Sequence, residues 1–122
     1  MACDNSRFDV VLEKKIPLVL CIGALDMVNF GPKDTIPPNF QQRKLYKRNE
    51  QVTIMRTTMD ENKKFVAFIL EKLNNSSFKV CVCLPKEGVS ALDAPDKSFY
   101  DPTVTGPLID ELQRLTETNK DR

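Results

Sequence analysis

Two short runs of consecutive apolar residues stand out in the chain, IPLVLCI at residues 16–22 and FKVCVCLP at residues 78–85. Their apolar character is continuous, unlike the alternation of a strand that faces water on one side. Continuous runs are typical of parallel strands that are buried on both faces. We therefore predict two parallel strands, adjacent or one apart, in a sheet whose faces are covered by helices.

Segments whose apolar residues have helical spacing lie before, between and after these two runs. A short helix is predicted within residues 6–15, before the first strand. Thr58 and Glu61 have the spacing of a capping box, which predicts that a helix starts there and covers about residues 61–74. An Asp-Pro pair before the last apolar periodicity predicts a final helix over about residues 103–117.

The other segments are polar and irregular. Residues 31–50 hold three of the eight prolines and show no clear period, so we predict a long loop, followed by a weaker strand at residues 51–56. A second long loop is predicted over residues 86–101. The alternation of helices and strands favours an α/β fold with right-handed crossovers. Because two clear strands make a poor sheet, we predict a partial Rossmann-like three-layer sandwich over residues 1–122, a fragment of a larger domain.

Composition narrows the classes of function. The 18 basic and 17 acidic residues form no long run of one charge, so we expect neither nucleic acid nor an anionic membrane as a partner. Apolar runs fall short of the ~20 residues of a membrane span, and the start of the chain lacks the order of a secretory signal. A cytoplasmic protein is expected. With no histidine, mixed Cys/His zinc sites and His-assisted nucleophilic catalysis are excluded.

Four cysteines, at positions 3, 21, 81 and 83, raise the question of disulfides or metal. Cys81 and Cys83 are separated by one residue, so on a strand they point to the same face. That spacing is not the usual one for zinc. We expect the cysteines to be small core residues, with no metal site.

Polar residues follow each apolar strand, at the sheet edge where open α/β folds bind ligands. GALDMVNFGP (23–32) follows the first strand and GVSALDAP (88–95) follows the second, and each supplies a carboxylate three residues after a small residue. Between them, the segment MRTT ends at a helix start, where backbone N–H groups attract anions and an arginine adds a planar cation. The candidate ligand-binding residues are Gly23, Asp26, Asn29, Arg56, Thr57, Thr58, Ser90 and Asp93.

Each candidate also has a structural interpretation. Asp26, Asn29 and Asp93 can hydrogen-bond within their own turns, and Thr58 can cap the helix. Arg56 can pair with the acidic residues at positions 60 and 61. If Arg56 contacts a ligand instead, its removal should change the stability of the unliganded protein little. Neither a GxxxxGK[ST] phosphate loop nor a GxGxxG fingerprint is present.

Three motifs in the same order carry a resemblance to a known family: GALDMVNFGP, MRTT followed by EN, and GVSALDAP followed by FYDP. They closely resemble the family of the tomato mosaic virus resistance protein and its bacterial and fungal relatives, over nearly the whole chain. The resemblance implies a region of two Rossmann-like subdomains that binds ATP, with this chain as part of the second. It marks the candidate residues as a ligand edge without assigning their individual roles.

Two classes of function follow. In the first, the chain is the ATP-binding segment, with Mg²⁺ as a further expected ligand, of a larger protein that acts by binding a partner such as a viral replication protein. In the second, the site is enzymatic, with Asp26 or Asp93 as acid/base groups or metal ligands and Arg56 orienting a phosphorylated or carboxylated substrate. We expect the first, and a homo-oligomer in the full-length form.

Overall fold

The computed structural model describes residues 4–116 of the 122-residue chain. Its elements, in chain order, are α1 (Asp9–Glu13), β1 (Leu18–Cys21), β2 (Met27–Phe30), two 3₁₀ turns (Lys33–Thr35 and Pro38–Phe40), β3 (Leu45–Asn49), β4 (Val52–Arg56), α2 (Met59–Asn74), β5 (Val80–Cys83) and α3 (Pro102–Leu115). The strands form two separate sheets, one of two strands and one of three.

The two-stranded sheet confirms the parallel arrangement predicted from the apolar runs. β1 and β5 are direct neighbours, with a register from Leu18 opposite Val80 to Cys21 opposite Cys83. Since α2 lies between these strands in the chain, the unit is a strand–helix–strand crossover of the kind found in α/β folds. The α/β class is confirmed. The helices also fall where predicted, although the expected end of the last one at residue 117 lies outside the described residues.

The three-stranded sheet was not predicted. It is antiparallel in the order β2-β4-β3, with Met27 opposite Arg56 and Leu45 opposite Met55. The interpretation in which Asn29 belongs to a turn is therefore wrong, because residues 27–30 are a strand, and so is that of residues 31–50 as one long loop. Neither edge strand has a buried residue. β2 pairs with β4 from far away in the chain, whereas β3 forms a hairpin with β4, with Asn49 opposite Val52, and carries three consecutive polar residues that give no strand pattern.

The hydrophobic core lies on one side of the parallel sheet, between β1 and β5 and the two long helices. Its buried residues are Ile22, Val66, Ile69, Leu70, Leu73, Phe78, Val80, Val89, Leu108, Ile109 and Leu112, with Val11 and Leu12 of α1 packed at its margin. The core thus joins α2 and α3 to the sheet and fixes where the loops after β1 and β5 leave it.

The other face of the parallel sheet is exposed. Val19 is 71% exposed, and Cys21, Cys81 and Cys83 on the same face are exposed as well. We call these four residues the open face. The expectation that the strands are buried on both faces is wrong for the described residues, and so is that of core cysteines, because all the helices pack on one side. Cys3 lies outside the described residues.

Among residues 4–116, no helix combines the length and the apolar character that crossing a membrane requires.

The exposed residues of the open face should bind a hydrophobic dye and favour self-association, and one introduced charge should weaken both effects. Val19→Lys should reduce binding of a hydrophobic dye and self-association, because it places a cation in the centre of the apolar face. Val10→Lys is the matched control, since Val10 is 66% exposed but lies on α1. Dye fluorescence and sedimentation velocity measure both effects. An equal loss with Val10→Lys would show that dye and self-association do not use the open face.

Candidate functional site

The loops that follow β1 and β5 meet beyond the carboxyl ends of these strands. The N–H of Ala24 donates to the carbonyl oxygen of Val89 across the two loops, at 2.7 Å. Each loop carries one buried carboxylate, Asp26 at 0% and Asp93 at 1% exposure. Because the strands are parallel neighbours, the two carboxylates come to the same edge of the sheet.

Arg56, the last residue of β4, lies between these loops and is 6% exposed. Its Nε donates to the carbonyl oxygen of Phe99 at 3.0 Å, and its Nη2 donates to Thr105 Oγ1 at 2.7 Å and to Asp93 Oδ1 at 3.4 Å. Nη1 lies 3.4 Å from the backbone oxygen of Asp26. All three guanidinium nitrogens therefore bond protein acceptors, and Arg56 connects the central antiparallel strand to both loops and to α3.

Asp93 is held by donors from several directions. Its Oδ2 accepts from the N–H of Val89 at 3.1 Å and from the hydroxyl of Thr105 at 3.0 Å, and its Oδ1 faces the guanidinium and the N–H of Asp101. The loop closes tightly here: Gly88 has φ +118°, and a Cβ there would lie 2.1 Å from the Asp93 carbonyl oxygen. Asp93 thus fixes the shape of its own loop and compensates the charge of the arginine.

Asp26 has a different environment. Its Oδ2 accepts a hydrogen bond from the Ser90 hydroxyl at 2.5 Å, whereas its Oδ1 has no hydrogen-bond partner within residues 4–116. Burial raises the pKa of the Asp26 carboxyl, and this effect exceeds the lowering by the Ser90 hydrogen bond and by the Arg56 charge. A buried carboxyl with a raised pKa and a free oxygen can exchange a proton or accept a hydrogen bond from a ligand.

Thr57 belongs to the same cluster. Its hydroxyl donates to the carbonyl oxygen of Leu25 at 2.9 Å, and its N–H donates to that of Asp26, also at 2.9 Å. Thr57 is buried and ties the start of α2 to the loop after β1. Six residues thus form one cluster, which we call the polar junction: Asp26, Arg56, Thr57, Ser90, Asp93 and Thr105.

Thr58 is a helix cap, as its spacing to Glu61 predicted. The Thr58 hydroxyl accepts from the N–H of Glu61 at 3.3 Å, while the Glu61 carboxylate accepts from the N–H of Thr58 at 2.9 Å. Glu61 also forms an ion pair with Arg43 at 2.8 Å. The alternative in which Arg56 pairs with residue 60 or 61 is therefore wrong, because its ion-pair partner is Asp93.

Besides the cap residue Thr58, two candidate residues lie apart from the polar junction. Asn29 is exposed on β2, where it is paired with Ile54. Gly23 is exposed at the end of β1, and a Cβ there would lie 3.7 Å from the Val89 carbonyl oxygen, an ordinary contact. The structure thus brings together Asp26, Arg56, Thr57, Ser90 and Asp93, with Gly23 at the margin.

Thr105 and the carbonyl oxygen of Phe99 were not predicted from the sequence as parts of the site. Thr105 precedes Leu108, Ile109 and Leu112 by three, four and seven residues, so it lies on the buried face of α3. A polar residue on an otherwise apolar helix face is a signal that could have identified it. The carbonyl of Phe99 leaves no signal in the side-chain sequence.

A cleft of about 550 Å³ opens beside the polar junction, between the loop after β5 and α3. It is lined by Lys86, Glu87, Gly88, Asp93, Ala94, Pro95, Tyr100, Pro102, Thr105, Gly106 and Ile109. We call it the β5–α3 cleft. Its volume lies within the roughly 300–1,000 Å³ of small-molecule sites.

Some residues that line the β5–α3 cleft suit the base or the phosphate of a nucleotide, and other parts of the cleft offer no such contact. Tyr100 is 45% exposed and offers an aromatic surface for a base, and Lys86 offers a cation for a phosphate. The first turn of α3 is already capped, because Asp101 accepts from the N–H and hydroxyl of Thr103. Within the described range, no three acidic or cysteine side chains are placed to hold a metal, so Mg²⁺ would need ligand oxygens too.

The burial of Arg56 changes the expected effect of its removal. Arg56→Ala should lower the free energy of unfolding by about 3–5 kcal/mol, because it leaves Asp93 as a buried, uncompensated charge. Arg43→Ala removes an ion pair whose side chains are 22% and 31% exposed, and should cost about 1 kcal/mol. Urea denaturation at neutral pH gives both values. Equal costs for the two variants would contradict a structural role for the buried pair.

Comparison with known proteins gives consistent results. The model of the uncharacterised protein family UPF0261, C-terminal domain, matches residues 1–122. The chain is 71% identical over 120 residues to the ToMV resistance protein Tm-1 of Solanum lycopersicum and 70% identical to the ToMV susceptible protein tm-1 of the same species. It is 42% identical over 117 residues to a UPF0261 protein of Clostridium tetani.

The lengths of these relatives differ from that of the chain. The matches cover 98% of the chain but only 16% of each tomato protein, and 96% of the chain but only 28% of the clostridial protein. The similarity therefore concerns one segment of proteins that are several times longer. Because the family model matches residues 1–122, this chain belongs to the UPF0261 family and corresponds to the C-terminal domain of that family.

Proposed function

We propose that this chain is an ATP-binding segment of a cytoplasmic protein that acts by binding a partner, and that the nucleotide occupies the β5–α3 cleft. The observation that carries the proposal is the position of this cleft. It borders a buried polar junction at the carboxyl ends of two parallel strands, where open α/β folds bind ligands.

In this proposal the residues divide into those that contact the nucleotide and those that position them. Lys86 pairs with a phosphate, and Tyr100 stacks on the base. Gly106 lets the ligand approach the backbone of α3, since a Cβ there would have no atom within 4 Å. Arg56 and Asp93 hold Thr105 at the floor of the cleft, so they act behind the ligand.

The partner-binding part of the proposal comes from the relatives. One tomato relative is named for resistance to ToMV and the other for susceptibility, and the chain is almost equally similar to both. Nucleotide binding is therefore proposed as a property common to both forms, whereas binding of a viral replication protein would depend on residues that differ between them. A homo-oligomer of the longer protein is the arrangement we expect.

The second candidate is an enzyme that acts on a phosphorylated or carboxylated small molecule. The observation that favours it is Asp26, whose pKa is raised by burial and whose Oδ1 has no partner in the described part of the chain. Such a carboxyl suits general acid–base catalysis, with Ser90 holding it in place. Asp93 is less suited to this task, because donors surround both of its oxygens.

Calorimetric titration of the chain with Mg-ATP tests the cleft. The chain should bind, and Lys86→Ala should weaken binding about tenfold through loss of a charge-assisted contact. Lys79→Ala is the matched control, since Lys79 is exposed and precedes β5 at the opposite end of the strand. Phosphate release in the same samples would favour the enzymatic candidate. No binding at millimolar ATP, or equal loss in both variants, would contradict the proposed cleft.

The raised pKa of Asp26 predicts a specific pH dependence of stability. The folded state holds this proton to higher pH than the unfolded state, whose Asp pKa is about 3.9. The stabilising contribution is therefore complete below about pH 4 and is lost as pH rises through the folded pKa. Asp26→Asn keeps the side chain uncharged throughout, so its stability relative to the natural chain should increase as pH rises from about 4 to 7.

Urea denaturation across this pH range measures the difference between the two proteins. Glu61 and Asp101 have lowered pKa values, so their protonation in acid destabilises both proteins. Because this effect is the same in both proteins, it cancels in the difference between their free energies of unfolding. Asp34→Asn, at an exposed carboxylate, supplies the baseline. If the free energy of unfolding of Asp26→Asn, relative to the natural chain, stays constant or decreases with rising pH, burial is not the dominant influence on the pKa of Asp26.

A further inference from the structure

The open face carries a cluster of thiols that the candidate site does not use. Three of its four residues are cysteines, and all three are exposed free thiols in the described part of the chain. Free cysteine is among the residue types most often buried in proteins, so three exposed thiols on one small face are unusual. At an exposed position a thiol contributes little to packing, which leaves its reactivity and its capacity to bind metals.

The parallel sheet brings the three thiols together around Cys83. Cys81 precedes it by two residues on β5, and Cys21 lies directly opposite on β1. Residues i and i+2 of a strand are about 6.6 Å apart and point to the same face, while neighbouring strands are about 4.8 Å apart. The pKa of the Cys83 thiol is raised, chiefly by the charge of Cys81 and also by a hydrogen bond with it, and less by the charge of Cys21. Cys81 and Cys83 are therefore the more closely coupled pair.

The number of side chains that can meet at one ion decides which metal these thiols can hold. Within the described residues, no group of three acidic or cysteine side chains is placed to hold a metal ion, and the chain has no histidine. Zinc takes four ligands in structural sites and usually three protein ligands in catalytic ones, so it does not fit a pair of thiols. Cu(I) fits, because it prefers soft sulfur ligands and is stable between two thiolates in a linear arrangement.

The spacing of Cys81 and Cys83 suits such a linear site. A metal–thiolate bond is about 2.3 Å long, so an ion held between two sulfurs requires them to be about 4.6 Å apart. The backbone places the two residues about 6.6 Å apart, and rotation about χ1 lets the sulfurs lean toward each other by the remaining ~2 Å. A disulfide would instead need Cβ atoms about 3.8 Å apart, which an extended strand does not provide for residues i and i+2.

We propose that Cys81 and Cys83 form a surface site for one Cu(I) ion, bound in a line between their two sulfurs. Both thiols lose their protons to the solvent when the ion binds, so the complex carries one negative charge, and no electron is transferred. Cys21 lies beside this pair and is not a ligand. The site shares no residue with the polar junction or with the β5–α3 cleft, so it is independent of the proposed nucleotide binding.

Anaerobic titration with Cu(I), against the chromophoric competitor bicinchoninate, tests this inference. All proteins carry Cys3→Ser, so that only the thiols of the open face are titrated. One Cu(I) should bind per chain, and Cys81→Ser or Cys83→Ser should weaken binding at least about a hundredfold, because each leaves one ligand of the pair. Cys21→Ser is the matched control on the same face and should change the affinity less than about threefold. Absence of Cu(I) binding, or equal losses in all three variants, would overturn the proposal.

Alkylation of the natural chain provides a second measurement that needs no substitution. Cu(I) should protect Cys81 and Cys83 from iodoacetamide while Cys21 stays reactive, and mass spectrometry identifies the modified residues. Zn²⁺ should protect none of the three, because two thiols do not complete its coordination. Protection of Cys21 in place of Cys81, or equal protection by Zn²⁺, would contradict a Cu(I) site of two thiolates.

Discussion

The buried ion pair between Arg56 and Asp93 is the interaction on which the arrangement of this chain depends. Arg56 ends the central strand of the antiparallel sheet, and Asp93 lies in the loop after the parallel strand β5. Thr105 of α3 bonds both partners. Because the contacts of Arg56 and Asp93 join all three elements, the pair helps to fix how the small sheet sits against the parallel sheet. Burial of two charges is costly, and the surrounding donors and acceptors offset that cost.

The same pair explains why the two carboxylates of the junction differ. One guanidinium faces two buried acids, and its direct ion pair is with Asp93. In the described part of the chain, the Asp26 carboxylate accepts one side-chain hydrogen bond, from Ser90, and the arginine reaches only the backbone oxygen of Asp26. Desolvation therefore dominates at Asp26 and raises its pKa. Asp93 is thus held as the ion-pair partner of Arg56, while Asp26 keeps one oxygen without a partner among the described residues.

Sequence patterns predicted the features that depend on neighbouring residues. The cap formed by Thr58 and Glu61 and the two long helices were predicted, because their signals lie within a few positions. The edge strands β2 and β3 were not. β2 pairs with β4 from far away in the chain, and β3, although it forms a hairpin with β4, ends in three consecutive polar residues that give no strand pattern. The ion-pair partner of Arg56, Asp93, lies 37 positions along the chain, whereas the sequence offered the nearby acids at positions 60 and 61 as partners. The exposure of Cys21 was not predicted either, because it depends on which face of the parallel sheet the helices cover.

Neither the buried charge of Arg56 nor a buried unpaired atom indicates where this chain can take up a ligand. An exposed arginine at a helix start would attract anions, but the nitrogens of Arg56 already have protein acceptors. Buried side-chain oxygens without partners remain instead at Asp26, Thr53 and Asn62 within the described residues. An unsatisfied buried group gains most from a new hydrogen bond, but Asp26 is 0% exposed and does not line the β5–α3 cleft, so a ligand seated in that cleft does not contact its free oxygen. In the proposed cleft, selectivity should then depend on the exposed side chains of Lys86 and Tyr100 more than on the buried carboxyl of Asp26.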